Sequence, residues 1–176
     1  MGLESLLKER KAVIVKRWFE SAIQAYPPDT AKFIKGQRDA FANPIGSTTL
    51  AAIEGLFDQL LGDMNPQQVK PLLDPVVRIR AVQAFTPSQA TAFVLALKRI
   101  LRDGLSRDLQ DPGVANDLLA LEARIDALCL MAFDIYQECR ETIYRIQANE
   151  MKNTTQRAFE RAGLLKKSSE DPSNQQ

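Results

Sequence analysis

Few residues in this chain are equipped for chemistry, and the most telling is one it lacks. The 176 residues include no histidine, which removes the usual general base, the commonest zinc and haem ligand, and every Ser-His or Cys-His catalytic pair. The Glu-x-x-His motif of di-iron helical bundles is impossible for the same reason. Cys129 and Cys139 lie in one stretch that reads as continuous helix, where ten residues span about 15 Å, too far for a disulfide. No basic cluster adjoins either one in sequence to favour a thiolate, so inert thiols are expected. The expectation is a protein that is not an enzyme, with no catalytic residue, no metal ligand set and no cofactor.

Two polar residues look out of place. In a helix read as opening at Pro75, steps of about 100° per residue put Val76, Val77, Ile79 and Ala84 on one arc, and Arg80 and Gln83 fall inside it. Arg78 points the other way, toward solvent. A guanidinium in an apolar arc must have its donors paired, because an unpaired buried charge is costly. The partner is either a carboxylate or a set of carbonyls in the same chain, or a bound anionic or carboxylate ligand, or a fork that fixes one of two helix arrangements. Arg80 and Gln83 are the candidate residues for binding a ligand or partner. Trp18 and Phe19 read as core and edge of the first helix rather than a stacking platform, and Tyr26-Pro27-Pro28 as a helix terminator.

These residues need elements to hold them, and the composition suits a single globular domain: 45% apolar and 26% charged, in 19.7 kDa. Lys plus Arg number 23 against 22 Asp plus Glu, a net charge of +1, so no global field draws in nucleic acid or an anionic membrane surface. No run approaches the roughly 20 apolar residues of a membrane span. No cleavable leader is expected, since the first residues carry no apolar stretch with a small-residue cleavage site, and Leu6 stands where a myristoylation signal needs Ser or Thr. With two free thiols, a cytoplasmic protein is expected.

A capping residue precedes proline at Asn43-Pro44, Asn65-Pro66, Asp74-Pro75, Thr86-Pro87 and Asp111-Pro112. Each reads as a helix start, since the cap accepts from first-turn amides and proline gives up only an amide that had no partner. Thr86-Pro87-Ser88-Gln89 adds a capping box. Gly36, Gly62, Gly104 and Gly163 read as stops. Between these marks the apolar residues recur at three and four: Leu50, Ile53, Leu56, Phe57, Leu60 and Leu61 in one segment, Ala90, Phe93, Val94, Leu97 and Leu101 in another. The first segment carries Leu7, Ile14, Trp18 and Ala22, interrupted by Lys11. No alternating strand pattern occurs, so the fold class is all-α, a globin-like or helical-bundle domain of six or seven helices.

No Gly or Pro occurs from Val114 to Ala162, enough for an unbroken helix of about 70 Å. Leu118, Leu121, Ile125, Leu128, Ala132, Ile135, Cys139, Thr142 and Ile146 form a helix-packing seam. A second edge of Leu119, Leu130, Phe133, Tyr136, Ile143 and Tyr144 widens it. The first half is expected to pack into its own domain. The second half either joins the same core or forms a homodimer through this C-terminal helix. Residues 1–162 are read as one helical sensory or interaction domain, and the polar residues 163–176 as a disordered tail.

Two stretches carry a resemblance: Phe41-Ala42-Asn43-Pro44-Ile45-Gly46, and the run from Val77 to Ala90 containing Arg78-Ile79-Arg80-Ala81-Val82-Gln83-Ala84-Phe85-Thr86-Pro87. Together they resemble the RsbRD N-terminal domain family, named for the RsbT co-antagonist proteins of the bacterial stressosome, and the resemblance runs over about residues 5 to 150. The Trp18 helix ending in Tyr26-Pro27 and the Leu97-Lys98 pair agree with it. It implies an all-α sensory or regulatory input domain, related to non-haem globin-like domains that dimerise and send a long helix into an output domain. The missing histidine fits, because a globin-like haem site needs a proximal one. No phosphorylatable STAS output domain is expected after that helix, so action by binding a partner protein or small ligand is expected rather than direct kinase antagonism. The alternative reading is a structural accessory subunit scaffolding a redox or membrane-associated complex.

Overall fold

The computed structural model of the chain describes residues 2–37, 39, 41–83 and 85–163. Ala84 and the polar tail beyond Gly163, both used above, lie outside the described residues. Six α-helices follow in order: α1 (Leu3–Ile23), α2 (Pro28–Gly36), α3 (Pro44–Leu61), α4 (Pro66–Val82), α5 (Pro87–Gly104) and α6 (Pro112–Arg161), with a short 3-10 turn at Asp108–Gln110. No strand occurs among the described residues, so the chain is all-α with a long C-terminal helix. Contacts group residues 1–140 into one compact unit and 141–176 into another.

Four of the five cap-proline pairs start helices. Asn43 Oδ1 accepts from the Gly46 amide and Asn65 Oδ1 from the Gln67 amide, each at 2.9 Å. Asp111 Oδ1 accepts from the Gly113 amide at 2.8 Å. Thr86 and Gln89 complete the reciprocal capping box, a device that stabilises a helix start by about 1 kcal/mol. Asp74-Pro75 departs from expectation: Pro71 and Pro75 both lie inside α4. Both prolines are exposed, and the carbonyls four residues earlier, on Gln67 and Pro71, belong to exposed residues. The lost helix bonds are thus open to water, and α4 continues through them. The glycine stops behave as read: Gly36 and Gly104 end their helices, Gly62 caps α3, and Gly163 follows α6 in the left-handed region.

In residues 1–140, α1 packs on α3 and α5, and α4 also packs on α3 and α5, which closes a ring of four helices. Leu7, Trp18, Ile53, Leu56, Leu73, Leu97 and Leu101 are fully buried within it, each large aliphatic side chain contributing about 1.5–3 kcal/mol. Leu50 and Leu61 lie at the margin of the α3 face. Lys11, which interrupts the α1 stripe, is half-exposed and pairs with Asp58 on α3. Along α6, Leu118, Leu121, Ile125, Leu128, Ala132, Ile135 and Cys139 are buried. Thr142 and Ile146, the last two seam positions, are exposed. The second edge divides as well: Tyr136 is buried, Ile143 half-buried, and Leu119, Leu130, Phe133 and Tyr144 are exposed.

The C-terminal ends of four helices receive arginines from other helices. Arg80 Nη2 on α4 donates to the Ala22 carbonyl of α1 at 2.8 Å, and Arg10 Nη1 on α1 donates to the Gly104 carbonyl of α5 at 2.7 Å. From α6, Arg124 Nη1 donates to the Leu60 and Gly62 carbonyls at the end of α3, and Arg140 Nη1 to the Ala81 carbonyl at the end of α4. Helix-end carbonyls have no partner within their own helix and carry the negative end of its dipole, so a guanidinium satisfies both needs at once.

Candidate functional site

Arg80 occupies the last turn of α4 and has no solvent exposure. Its guanidinium spans two neighbouring helices: Nη2 donates to the Ala22 carbonyl near the end of α1 at 2.8 Å, and Nη1 to the Ala90 carbonyl in the first turn of α5 at 3.3 Å. No carboxylate among the described residues pairs with it. Of the alternatives read from sequence, the partner found is a set of carbonyls in the same chain. The Nε hydrogen, also buried, has no partner.

Three aromatic rings enclose this cation. The central guanidinium carbon lies 4.5 Å from the Phe93 ring centroid, 5.7 Å from Tyr26 and 5.9 Å from Phe85. Ring faces attract cations, and more strongly where water is excluded. Burial nonetheless pulls the Arg80 pKa below its ordinary value, with the Tyr26 phenol opposing that shift. Burial likewise raises the Tyr26 phenol, and the Arg80 charge works against the rise. The Tyr26 and Phe85 rings meet edge to face at 5.0 Å. Tyr26 belongs to the turn between α1 and α2, and Phe85 to the loop between α4 and α5, so neither ring is carried by a helix. Ile23, Tyr26 and Ile34 form a small satellite core here, with Phe19, Ile45 and Phe85 against it.

The surroundings of Arg80 are tied on one side to the first helix and on the other to the last. Trp18 Nε1 donates to the Phe93 carbonyl at 2.7 Å, so the buried indole fixes the residue whose ring lies nearest the guanidinium. The Tyr136 hydroxyl on α6 donates to the Phe85 carbonyl, and Arg140, one turn further along, donates to the Ala81 carbonyl at 3.1 Å. The two carbonyls held from α6, on Ala81 and Phe85, both follow Arg80 within five residues of sequence.

Gln83, the other candidate residue, is not in this cluster. It is exposed at the C-cap of α4, beside Val82 at 65% exposure. The helix ends at Val82, so helical stepping no longer places the residue that follows. Gln83 borders an open surface groove of about 400 Å³ with Pro75, Arg78, Ile79 and Val82 instead of joining the apolar arc. Arg78 is exposed as expected and pairs with Asp74 one turn back at 2.7 Å, which raises the arginine pKa and lowers that of the aspartate. No cluster of three potential metal ligands occurs among the described residues. The Cys129 thiol is half-buried, and burial pushes its pKa up.

Sequence reasoning missed Tyr26, Phe85, Phe93 and Tyr136 as parts of one arrangement. Phe85 did lie within one of the two stretches that carry the family resemblance, and Tyr26 in the Tyr26-Pro27 segment that agrees with it, which is the one signal that marks them. A family model described as the RsbT co-antagonist protein rsbRD N-terminal domain matches residues 12–151. No curated protein and no solved structure matches the chain significantly.

Proposed function

The chain belongs to the RsbT co-antagonist protein rsbRD N-terminal domain family, and from that premise we propose a non-catalytic regulatory domain that binds a partner protein or small ligand and signals through α6. The family match suggests a stressosome-type regulatory role. No helix among the described residues is long and apolar enough to cross a membrane, in keeping with a cytoplasmic setting. Residues 1–162 act as one input domain in this reading.

One observation carries the reading: a buried guanidinium with an unpaired Nε faces a loop residue, Phe85, whose carbonyl is held by α6 through Tyr136. A ligand or partner that reorders the Arg80 surroundings shifts Phe85 and so biases the packing of α6. The homodimer assigned to α6 draws support from its second compact unit, where Tyr144, Ile146, Met151 and Phe159 are 56%, 51%, 71% and 45% exposed. Tyr144, Ala148, Met151, Thr155 and Phe159 recur at three and four, the spacing of a helix-pairing stripe.

Sedimentation equilibrium tests both parts. Met151→Glu should weaken self-association by about tenfold or more, the effect of a charge at a packed apolar position. Arg80→Met should shift the association constant more than Arg78→Met does, although Arg78 is also a charge on α4. Equal shifts from the two arginine variants would remove Arg80 from the signalling route, and a wild-type monomer at every concentration would remove the dimer.

A further inference from the structure

We propose that the unpaired edge of Arg80 is a concealed site for the carboxylate of a small organic acid, closed off by the Tyr26 and Phe85 rings. The proposal rests on the reading of Arg80 as the input of a regulatory domain and names the chemistry of what enters. Arg80 is wholly buried, yet it is a full cation held by carbonyl dipoles, ring faces and the neighbouring Tyr26 phenol, with no carboxylate among the described residues beside it and Nε left without a hydrogen-bond partner. A carboxylate is the group that meets an Nε and Nη edge with two parallel hydrogen bonds while cancelling the charge.

The walls choose the rest of the molecule. Tyr26, Phe85 and Phe93 offer ring carbons, and no second cation among the described residues lies against the guanidinium to balance a second negative charge. A monocarboxylate with an apolar body fits such a box. Phosphate, sulfate and dicarboxylates bring charge that the rings cannot solvate.

The gate is built from parts that move cheaply. Tyr26 and Phe85 sit in connections rather than helices, so swinging them aside breaks few helix hydrogen bonds. α2, which adjoins Tyr26, buries only Ile34 among its nine residues. Displacing Phe85 also disturbs the carbonyl that accepts from Tyr136, so occupancy of the site and the hold on α6 are alternatives.

The protein carries its own reporter. Trp18 is the only tryptophan, is fully buried, and donates to the Phe93 carbonyl beside the site. Sodium butyrate titrated into the full chain should give a saturable change in Trp18 fluorescence at millimolar concentration, confirmed by calorimetry. Butyramide, the same shape without the charge, and inorganic phosphate should give none. Arg80→Met should abolish the response and Arg78→Met should keep it. Phe85→Ala, which removes half the gate, should tighten butyrate binding several-fold, and this arm stands even if Arg80→Met folds poorly.

An equal response to butyramide would reveal an apolar cavity indifferent to Arg80, and an equal response to phosphate a generic anion effect. Either result overturns the proposal, as does the absence of saturation in both wild type and Phe85→Ala. Butyrate binding without any change in self-association would leave this site standing and overturn the regulatory reading. A loss of coupling in Arg80→Met with no butyrate binding would do the reverse.

Discussion

Replacing Gly46 by alanine should act through one neighbouring side chain. A Cβ built on Gly46 falls 2.3 Å from Asn43 Nδ2 and 2.7 Å from its Cγ and Oδ1, separations that no relaxed structure keeps. Asn43 has nowhere easy to go, because it is 4% exposed and its side chain holds three hydrogen bonds. Its Oδ1 accepts from the Gly46 amide at 2.9 Å, and its Nδ2 donates to the Ile34 carbonyl at 2.8 Å and the Gln37 carbonyl at 2.9 Å. That one residue therefore starts α3 and ties down the end of α2. Three net hydrogen bonds at about 0.5–1.5 kcal/mol each, less up to about 1 kcal/mol regained when glycine leaves a helix, give a loss of about 2 kcal/mol. For a chain of this size that lowers the melting temperature by about 4–8 °C. The decisive form is a double-mutant cycle by urea unfolding. Asn43→Ala alone should cost a similar amount, but adding Gly46→Ala to it should cost almost nothing, since the clashing side chain is gone. Additive losses would show that the Gly46 cost arises elsewhere and would refute the reasoning.

Tyr136→Phe removes the donor to the Phe85 carbonyl while keeping the ring, so urea unfolding should show a loss of about 0.5–1.5 kcal/mol, and amide exchange should rise in the loop that carries Phe85. The carboxyls of Asp74, Asp108 and Glu20 are held below their ordinary values chiefly by hydrogen bonds from Arg78, Arg10 and Lys35. Their folded pKa values are depressed, so the stability they contribute is full at neutral pH and declines as pH falls below about 4. Melting temperatures across pH should show that decline, less steep in Asp74→Asn, and should be nearly level from about pH 5.5 to 7 because no histidine titrates there. Ellman's reagent should react slowly with the native chain near neutrality, and Cys129→Ser should remove a component that quickens only in alkali, as the burial-raised thiol requires.

Local signals were the legible ones. The Thr86 capping box, the Asn43 and Asn65 caps and the Gly62 stop involve residues two to four positions apart, and each was visible in the sequence. Arg80 was legible as a cation on an apolar face because Val76, Val77 and Ile79 in its own helix set that face. Its surroundings were not, since the Ala22 carbonyl is 58 residues away along the chain. The Phe85 loop and its tie to Tyr136, 51 residues on, depend in the same way on how helices assemble. Pro75 misled because a start signal also fits the outer face of a helix already under way. Gln83 misled because a periodic argument holds only while the helix lasts, and α4 stops one residue short of it.

The four arginines that reach across to foreign helix ends have a bearing on assembly. Neither α1 nor α3 has a basic residue of its own in its last turn, so their final carbonyls find a cation only when another part of the chain arrives. Excised as peptides, these segments should unravel from their tails. In the whole protein, α1 seals α5, α4 seals α1, and α6 seals both α3 and α4. Loosening any member unseats the terminus of the next, so residues 1–140 should melt as one cooperative block, with no helix peeling away by itself.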